Sequence, residues 1–428
     1  MIDSVVNAFK IADLRRKLLF TFAMLVAFRF LAHVPVPGVN AQALKQLFAS
    51  NQLIGMLDLF SGGAMSSFSI AAMGVYPYIT ASIIMQLLIP MVPALQELSK
   101  EGESGRDKIN QYIHWLTVPL AALQALGTGS LLANSQVGVI RDFNLFVYPL
   151  STLSIILSMT AGTMLAVWIG ELITENGIGN GISIVIFGGI VARLPSAAAQ
   201  GLAGGINIVG LVAFAVLGVL TVAAIVVVQE GQRRIPVQFA KRIRGSRMYG
   251  GTTTHIPIRV NSAGMIPLIF AMSIMLFPGT LAGYFQYSGG LLGDVGSFIV
   301  RWLSPTSPFY WLLYFVMVVG FTFFYTIVIF QQQNIPESLQ KNGGFIPGIR
   351  PGRPTGEYLN KVLLRITWFG ALFLGVVAIL PYFVQNLTSV TALSLSSTAL
   401  LIVVGVVVDT MKQLESQLMM RNYQGFMR

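Results

Sequence analysis

The sequence predicts an all-α integral membrane protein with about ten transmembrane helices. Of its 428 residues, 54% are hydrophobic and 10% are charged, whereas soluble domains contain about a quarter charged residues. The mean hydropathy is +0.73. Apolar runs close to the roughly 20 residues that cross a hydrocarbon core recur along the chain. Their length favours helices over a barrel, whose strands span about ten residues with alternating polarity.

Ten apolar runs predict spans, and no soluble domain fits between them. The runs lie at residues 18–36, 72–92, 112–132, 148–169, 182–199, 208–228, 265–285, 311–330, 364–383 and 393–408. The first run follows Arg15, Arg16 and Lys17 and superficially resembles a signal peptide. Because HVPVPG (33–38) stands where a small-residue cleavage site would be, we expect this segment to be retained.

Lysine and arginine are concentrated in loops on one side of this ten-span arrangement. That side holds Lys10, Arg15, Arg16, Lys17, Lys100, Arg106, Lys108, Arg233, Arg234, Lys241, Arg242, Arg244, Arg247, Arg259, Lys341, Arg350, Arg353, Lys361, Lys412, Arg421 and Arg428. Loops on the other side hold Lys45, Arg141 and Arg301, with Arg29 and Arg193 near span ends. Since basic loops resist translocation, we expect both termini in the cytoplasm.

Two loops of the basic side, 229–262 and 331–363, are long enough to be functional or disordered. Their composition favours order: GTTTHIPIRV (251–260) alternates like a hairpin strand, and NGGFIPGIRPGRPTGEYL (342–359) is punctuated by the Gly and Pro of tight turns. An ordered basic protrusion predicts a docking surface for an acidic partner. The alternative is that the basic residues only orient the chain in the membrane, which explains the charge of the two loops but not their length.

Several kinds of chemistry have no support in the sequence. There is no cysteine, and His33, His114 and His255 lack the spacing of zinc ligands. No GxxxxGK[ST] phosphate-binding loop occurs either. We therefore expect no metal, no cofactor and no catalytic residue, and the chain is not predicted to be an enzyme.

The centres of the predicted spans are nearly free of ionisable residues, which ion-coupled transporters and channels normally use. Glu171 and Asp409 lie toward span ends and are better explained as interfacial residues. If the chain forms a conduit, the lack of charged side chains in its walls indicates a transported substrate of varied chemistry. The alternatives are a secondary transporter with inverted repeats and broken, glycine-rich helices, and a membrane scaffold or insertase without a pore.

The segment DLFSGGAMSSFSI (58–70) begins where a second span should start, but it is too short and too polar to cross a bilayer. The Gly62-Gly63 pair interrupts any steady helix, so at most a weak half-helix is expected. Its few apolar side chains predict weak burial and a low free-energy cost of displacement. An ordinary re-entrant external loop, with no separate function, would have the same composition.

Six motifs in order resemble the SecY family of bacterial protein-translocation channels. They are VPVPGVN (34–40), GVYPYITASIIMQLL (74–88), ENGIGNGISIVIFGGIVARLP (175–195), EGQRRIPVQFAKR (230–242), NSAGMIPLIFA (261–271) and GIRPGRPT (348–355). The resemblance covers essentially the whole chain. It implies two inverted five-helix halves, 1–204 and 205–428, around a central hourglass pore.

The resemblance also assigns parts to the pore. It implies a constriction of six aliphatic side chains: Val75, Ile79, Ile186, Ile190, Ile269 and Ile402. Val75 with Ile79, and Ile186 with Ile190, are four residues apart, which places each pair on one face of a helix. It implies that the weak segment is a plug, comprising Asp58, Leu59, Phe60, Ser61, Gly62, Gly63, Met65 and Phe68.

A lateral gate is implied between spans two and three on one side and spans seven and eight on the other. Thr80 and Phe277 correspond to facing positions, but a phenylalanine offers no hydrogen bond for a polar latch. Gln86 and Gln124 are further polar candidates within spans. Their alternative role is bonding to a neighbouring helix.

The family's partners are implied as well. Arg350 corresponds to a position that docks the SecA motor or the ribosome, accompanied in the two basic loops by Arg242, Arg244, Arg247 and Arg353. Arginine suits carboxylates and RNA phosphates alike. SecE and SecG are the implied small membrane subunits. The expected function is a passive channel in the bacterial cytoplasmic membrane, driven by SecA or the ribosome, that passes unfolded preproteins with their signal sequences and releases membrane segments into lipid.

Overall fold

The computed structural model describes residues 9–40, 43–44, 61–133, 139–140, 143–144, 147–203, 208–239, 242–244, 247–249, 253–285, 291–304, 307–388 and 391–425. The helices in these ranges are α1 Ala12–Leu31, α2 Tyr76–Leu88, α3 Pro93–Lys100, α4 Glu103–Ala133, α5 Pro149–Asn176, α6 Gly181–Ala203, α7 Ile208–Glu230, α8 Ile266–Phe285, α9 Leu291–Trp302, α10 Pro308–Gln333, α11 Ile335–Lys341, α12 Arg353–Thr388 and α13 Thr391–Gly425. The strands are β1 Gln232–Phe239, β2 Arg242–Arg244, β3 Arg247–Tyr249, β4 Thr253–Arg259 and β5 Gly344–Phe345.

Each of the ten predicted spans overlaps a helix, namely α1, α2, α4 to α8, α10, α12 or α13. Within the described residues, four helical segments are long and apolar enough to cross a membrane: Glu103–Ala133, Pro149–Asn176, Pro308–Lys341 and Arg353–Leu380. A fifth results if α2 and α3 count as one bent span. The helical membrane fold is therefore confirmed, while the number ten stays a prediction.

The second predicted span, 72–92, is too long at both ends. Helix α2 covers only Tyr76–Leu88, with a proline in its first turn, where the missing N–H costs nothing. Pro90 and Pro93 cannot extend the hydrogen-bond ladder of the helix. The chain consequently bends by 101° into α3.

Helices from before and after residue 204 meet along two seams. At the first seam, α8 packs against α2 and α4; at the second, α6 packs against α13. The largest buried apolar cluster lies where these helices meet and also takes side chains from α1, α5, α7, α10 and α12. The centre of the fold is thus an apolar core shared by the two parts of the chain.

The two long loops form one small sheet, called the loop sheet below, with strand order β4-β1-β5. β1 pairs antiparallel with β4 from Gln232↔Arg259 to Gln238↔Thr253, which confirms the predicted hairpin strand. β5, from the second loop, joins the other edge of β1 through Gln238↔Phe345 and Phe239↔Gly344. Apolar side chains of the sheet and of α12 bury one another beneath it, so the two loops are one structural unit.

Candidate pore and its closing elements

The six residues expected at the constriction all lie in the largest buried cluster. Their exposed fractions run from 0% for Val75 to 6% for Ile79 and Ile269. They come from the start of α2, from α6, from α8 and from α13. Aliphatic side chains from distant parts of the chain thus converge in one apolar cluster, as a hydrophobic constriction would require.

The plug segment is more deeply buried than its composition predicts. Asp58, Leu59 and Phe60 lie outside the described residues, whereas Ser61 to Phe68 form successive turns and no helix. Gly62 and Gly63 have φ angles of +65° and +88°, which favour glycine. Ser61 and Phe68 are 0% exposed and Met65 is 1% exposed. For Met65 and Phe68 the prediction of weak burial is therefore wrong, because the turns fold these two side chains inward.

A glycine pair brings the expected plug segment against α6, the helix that carries two of the expected constriction residues. A Cβ atom on Gly62 would lie 2.6 Å from the Cα atom of Gly189, which precedes Ile190 in α6. Such a distance is far below van der Waals contact, so neither glycine can be replaced without moving backbone. Absence of side chains at both positions thus permits direct backbone packing.

Hydrogen bonds tie the plug to α1 and to the segment that follows it. The Arg29 Nη1 atom donates to the Gly62 carbonyl oxygen at 2.8 Å, and the Ser67 hydroxyl donates to the Ala32 carbonyl oxygen at 2.9 Å. The Phe68 carbonyl accepts from the Val36 N–H at 3.0 Å. Sequence reasoning missed Arg29, although an arginine inside a predicted apolar span is the signal that points to such a role.

The two predicted gate residues lie on helices of the first seam, Thr80 on α2 and Phe277 on α8. Thr80, 4% exposed, donates its hydroxyl hydrogen to the Tyr76 carbonyl oxygen of its own helix at 3.1 Å. One turn before Thr80 and Phe277, the Tyr76 hydroxyl donates across the seam to the Ser273 carbonyl oxygen at 2.9 Å. Sequence reasoning missed both residues. A tyrosine in an apolar span beside Val75 is the signal that could have found this bond.

The two glutamines of the gate region differ in their contacts. Gln86 donates from Nε2 to Ser82 Oγ at 3.3 Å within its own helix, and its buried Oε1 has no hydrogen-bond partner among the described residues. Gln124 is 3% exposed, and neither of its amide atoms has a partner in the described part of the chain. Bonding to a neighbouring helix is therefore not seen for either one. Buried amide groups without a partner are uncommon in folded proteins.

The loops present arginines on an ordered frame. Arg350 is exposed, while its carbonyl oxygen accepts a hydrogen bond from the Thr355 hydroxyl at 2.8 Å. Arg353 is exposed at the start of α12, with its Nε atom 3.3 Å from the Glu357 carboxylate. The backbone positions of Arg242, Arg244 and Arg247 lie on the β2–β3 hairpin. The turn around Arg350 is therefore fixed by its backbone, and its guanidinium group remains accessible.

A cavity of about 610 Å³ lies at the base of the loop sheet, between β4, α8 and α13. Beside it, Lys412 Nζ is 2.8 Å from the Glu230 carboxylate. Partial desolvation raises the pKa of the Asp409 carboxyl above its ordinary value of 3.8, while Arg259 and Lys412 lower it and Glu230 raises it. The Asp409 residue is largely exposed and lies at the end of its predicted span, in agreement with an interfacial position.

The model of the SecY family matches residues 69–411. The chain belongs to the SecY family. The protein translocase subunit SecY of Streptomyces scabiei is 45% identical over 449 residues, and the match covers 100% of both chains. The family membership inferred from the six motifs is therefore confirmed, and it favours a translocation channel over a secondary transporter.

Solved SecY-type structures share the fold. One, a SecY protein whose plug domain is described as stabilising the closed state of the translocation channel, aligns with a TM-score of 0.66 and 17% identity. Sec61 from the canine ribosome-channel complex of the endoplasmic reticulum aligns with a TM-score of 0.61 and 17% identity. Each alignment covers 94% of this chain and 92% of the other. The SecY-like multi-pass helical architecture is thereby confirmed.

Proposed function

We propose that this chain is the channel subunit of a protein translocase. It passes unfolded secretory proteins across the bacterial cytoplasmic membrane and releases hydrophobic segments laterally into lipid. The observation that carries this proposal is the full-length likeness, at 45% identity, to a protein translocase subunit SecY. The burial of all six constriction residues in one apolar cluster supports it.

In the resting channel, two layers seal the pore. The apolar constriction excludes water and ions because hydration inside a narrow hydrophobic passage is unfavourable. The plug lies against the constriction helix α6 through Gly62 and Gly189 and is retained by the Arg29 hydrogen bond. A translocating chain displaces the plug and is then surrounded by flexible aliphatic side chains, which accept any sequence.

Lateral release uses the first seam, where α8 packs against α2 and α4. In this proposal residues 1–204 and 205–428 form two halves that move apart at this seam and stay together at the second one. Thr80 and Phe277 line the seam, and Gln86 and Gln124 contribute polar groups near it. The secreted chain leaves along the pore axis, whereas a hydrophobic helix leaves sideways.

The driving force comes from partners at the cytoplasmic side, where both termini lie. Arg350, Arg353 and the β2–β3 arginines offer guanidinium groups for the carboxylates of SecA or the phosphates of ribosomal RNA. The likeness to Sec61 of a ribosome-channel complex supports a ribosomal partner. SecE and SecG complete the membrane complex, and the chain itself performs no catalysis.

Reconstitution tests this function directly. The chain is placed in liposomes with SecE and SecG, and SecA, ATP and a radiolabelled preprotein are added outside. We expect the preprotein to become protected from protease inside the vesicles, in an ATP-dependent manner. A secondary transporter or a scaffold without a pore would give no protected preprotein, even though SecE and SecG were assembled with it.

A further inference from the structure

Helix α9 follows α8 at the end opposite the loop sheet. It has 12 residues, Leu291–Trp302, so it is about 18 Å long, whereas a hydrocarbon core is about 30 Å thick. Asp294 lies in its first turn and Arg301 in its last turn, and both charges suit the helix dipole. α9 is thus a regular helix that is too short to cross a bilayer.

The side chains of α9 form three faces, because residues three, four and seven apart share one side of a helix. The inner face is buried or half-buried and comprises Gly293, Gly296 and Val300. One residue further along, turned by about 100°, is an exposed polar face of Asp294, Ser297 and Arg301. Another turn of about 100° gives an exposed apolar face, called the apolar stripe below, of Val295, Phe298 and Trp302. The protein contact, the polar face and the apolar stripe thus follow one another around the helix.

The apolar stripe is unusual for a helix surrounded by water, because its large side chains lie side by side and exposed. The exposed fraction is 55% for Val295, 61% for Phe298 and 44% for Trp302. Contiguous exposed apolar surface marks a contact with a membrane or with another protein. The stripe is therefore a contact surface.

The stripe continues onto α10. The ring centroids of Phe298 and Trp302 are 5.7 Å apart, and those of Trp302 and Phe309 are 4.9 Å apart in an edge-to-face contact. Phe309 begins an exposed apolar row on α10 that includes Leu312 and Val316, and α10 belongs to one of the segments that can cross a membrane. The stripe is thus continuous with the outer surface of a membrane-spanning helix, which favours lipid as its partner.

We propose that α9 is an interfacial helix that lies flat in the membrane leaflet opposite the loop sheet. Its apolar stripe enters the boundary between headgroups and acyl chains, its polar face points to water, and Trp302 lies at the depth that tryptophan prefers. Because α9 packs against α8, this contact anchors that end of α8 at the membrane surface. The inference goes beyond the proposed function, since it needs only the helical membrane fold.

The polar face does not select the charge of a lipid headgroup. Asp294 and Arg301 carry opposite charges, and the Ser297 hydroxyl donates to the Asp294 carbonyl oxygen at 2.8 Å within the helix. Helices that bind anionic lipid carry an excess of lysine and arginine on their polar face instead. The partner is therefore the apolar boundary layer common to all phospholipids and not an anionic headgroup.

The experiment measures the surroundings of each face. Because the chain has no cysteine, single spin labels can be attached through Asp294→Cys, Val295→Cys, Ser297→Cys, Phe298→Cys, Arg301→Cys and Trp302→Cys. The complex with SecE and SecG is placed in phosphatidylcholine vesicles, and relaxation of each label by oxygen, which enters lipid, is compared with relaxation by a nickel chelate, which stays in water. We expect the oxygen-to-nickel ratio to be several-fold higher at positions 295, 298 and 302 than at the other three. Leu312→Cys on α10 is the lipid reference.

A charge placed in the apolar stripe provides a matched test that keeps Trp302. Phe298→Asp should move a label at position 295 out of the lipid, so the oxygen-to-nickel ratio there should fall several-fold to that of the polar face. Ser297→Asp adds the same charge one residue earlier, on the polar face, and should leave the ratio at position 295 unchanged. Equal ratios in these two variants would contradict the assignment of the two faces. Replacing part of the phosphatidylcholine by phosphatidylglycerol should also leave the ratio in the original chain unchanged.

Three further results would overturn the proposal. Nickel access at all six labelled positions would place α9 in water, and protection of the apolar stripe from both reagents would show that a protein, such as a second copy of this chain, covers it. A high ratio at the stripe only in the presence of phosphatidylglycerol would assign the contact to an anionic headgroup. Preprotein import into the same vesicles reports the channel function separately, and its absence would leave the result for α9 unaffected.

Discussion

Arg29 lies in the last turn of α1, near the end of the first predicted span, and charged side chains within spans are rare unless they have a function. Its guanidinium group donates to the Gly62 carbonyl oxygen of the plug at 2.8 Å. Hydrogen bonds to charged groups are roughly twice as strong as neutral ones. A single side chain on α1 therefore supplies a specific restraint on the segment that covers the proposed pore.

We expect Arg29→Met to loosen the plug. Methionine retains most of the side-chain length but cannot donate, so displacement of the plug should become about tenfold more favourable, in keeping with roughly 1.5 kcal/mol for a charged hydrogen bond. Resting ion conductance in planar bilayers is the measurement. Arg16→Met, a change of the same type at an exposed position of α1, is the control. A plug held by packing alone would give equal conductance for Arg29→Met and the original chain.

At the scale of elements, the loop sheet combines two loops that the sequence presents separately. β1 pairs with β4 of its own loop and with β5 of the other loop. Turns rich in Gly and Pro then fix the backbone around Arg350. The backbone that carries Arg350 is therefore already ordered, so the proposed docking of a partner would cost little backbone conformational entropy.

Arg350→Glu should abolish SecA-driven transport while the protein still folds. The guanidinium group is exposed, so reversing its charge disturbs no core contact but places like charges against an acidic partner surface. Preprotein import and thermal stability in detergent are measured in parallel. Lys361→Glu, the same reversal at an exposed position of the nearby helix α12, should retain transport. Import at the original rate by Arg350→Glu would make Arg350 a turn residue only.

Much of this architecture was predictable because it depends on local patterns. Apolar run length predicted the helices, and alternation in GTTTHIPIRV predicted β4. Contacts between distant residues were not predictable in the same way. The Tyr76–Ser273 bond depends on the register of two helices 197 residues apart in the chain. The burial of Met65 and Phe68 depends on a path of turns for which the sequence offers only Gly62 and Gly63 as a signal.

At the scale of the whole molecule, the proposed pore is closed by side chains from helices on both seams. Four replacements, Ile79→Ser, Ile186→Ser, Ile269→Ser and Ile402→Ser, should raise resting ion conductance several-fold because polar side chains hydrate the constriction. Valine at the same four positions keeps the surface apolar and should preserve the seal. Equal conductance of the serine and valine variants in planar bilayers would remove these residues from the constriction.

The seam itself can be locked. Cysteines at positions 80 and 277 should form a disulfide in the closed state, and no native cysteine competes. A signal helix about 10 to 12 Å wide could then not enter, so oxidation should block preprotein transport and reduction should restore it. Each single-cysteine variant is the control. Efficient crosslinking with intact transport would show that proteins do not need this seam to open.

The loop sheet also has a mechanical consequence. β1 begins two residues after α7 ends, and β4 leads through a short turn into α8. An eight-residue strand extends about 26 Å, and the Lys412–Glu230 ion pair lies at its base, where α7 ends. Because the backbone runs through only a short turn from β4 into α8, we expect a partner that displaces the far end of the sheet to displace the start of α8 as well. A proposed docking partner outside the membrane would in this way have a direct mechanical connection to one helix of the first seam.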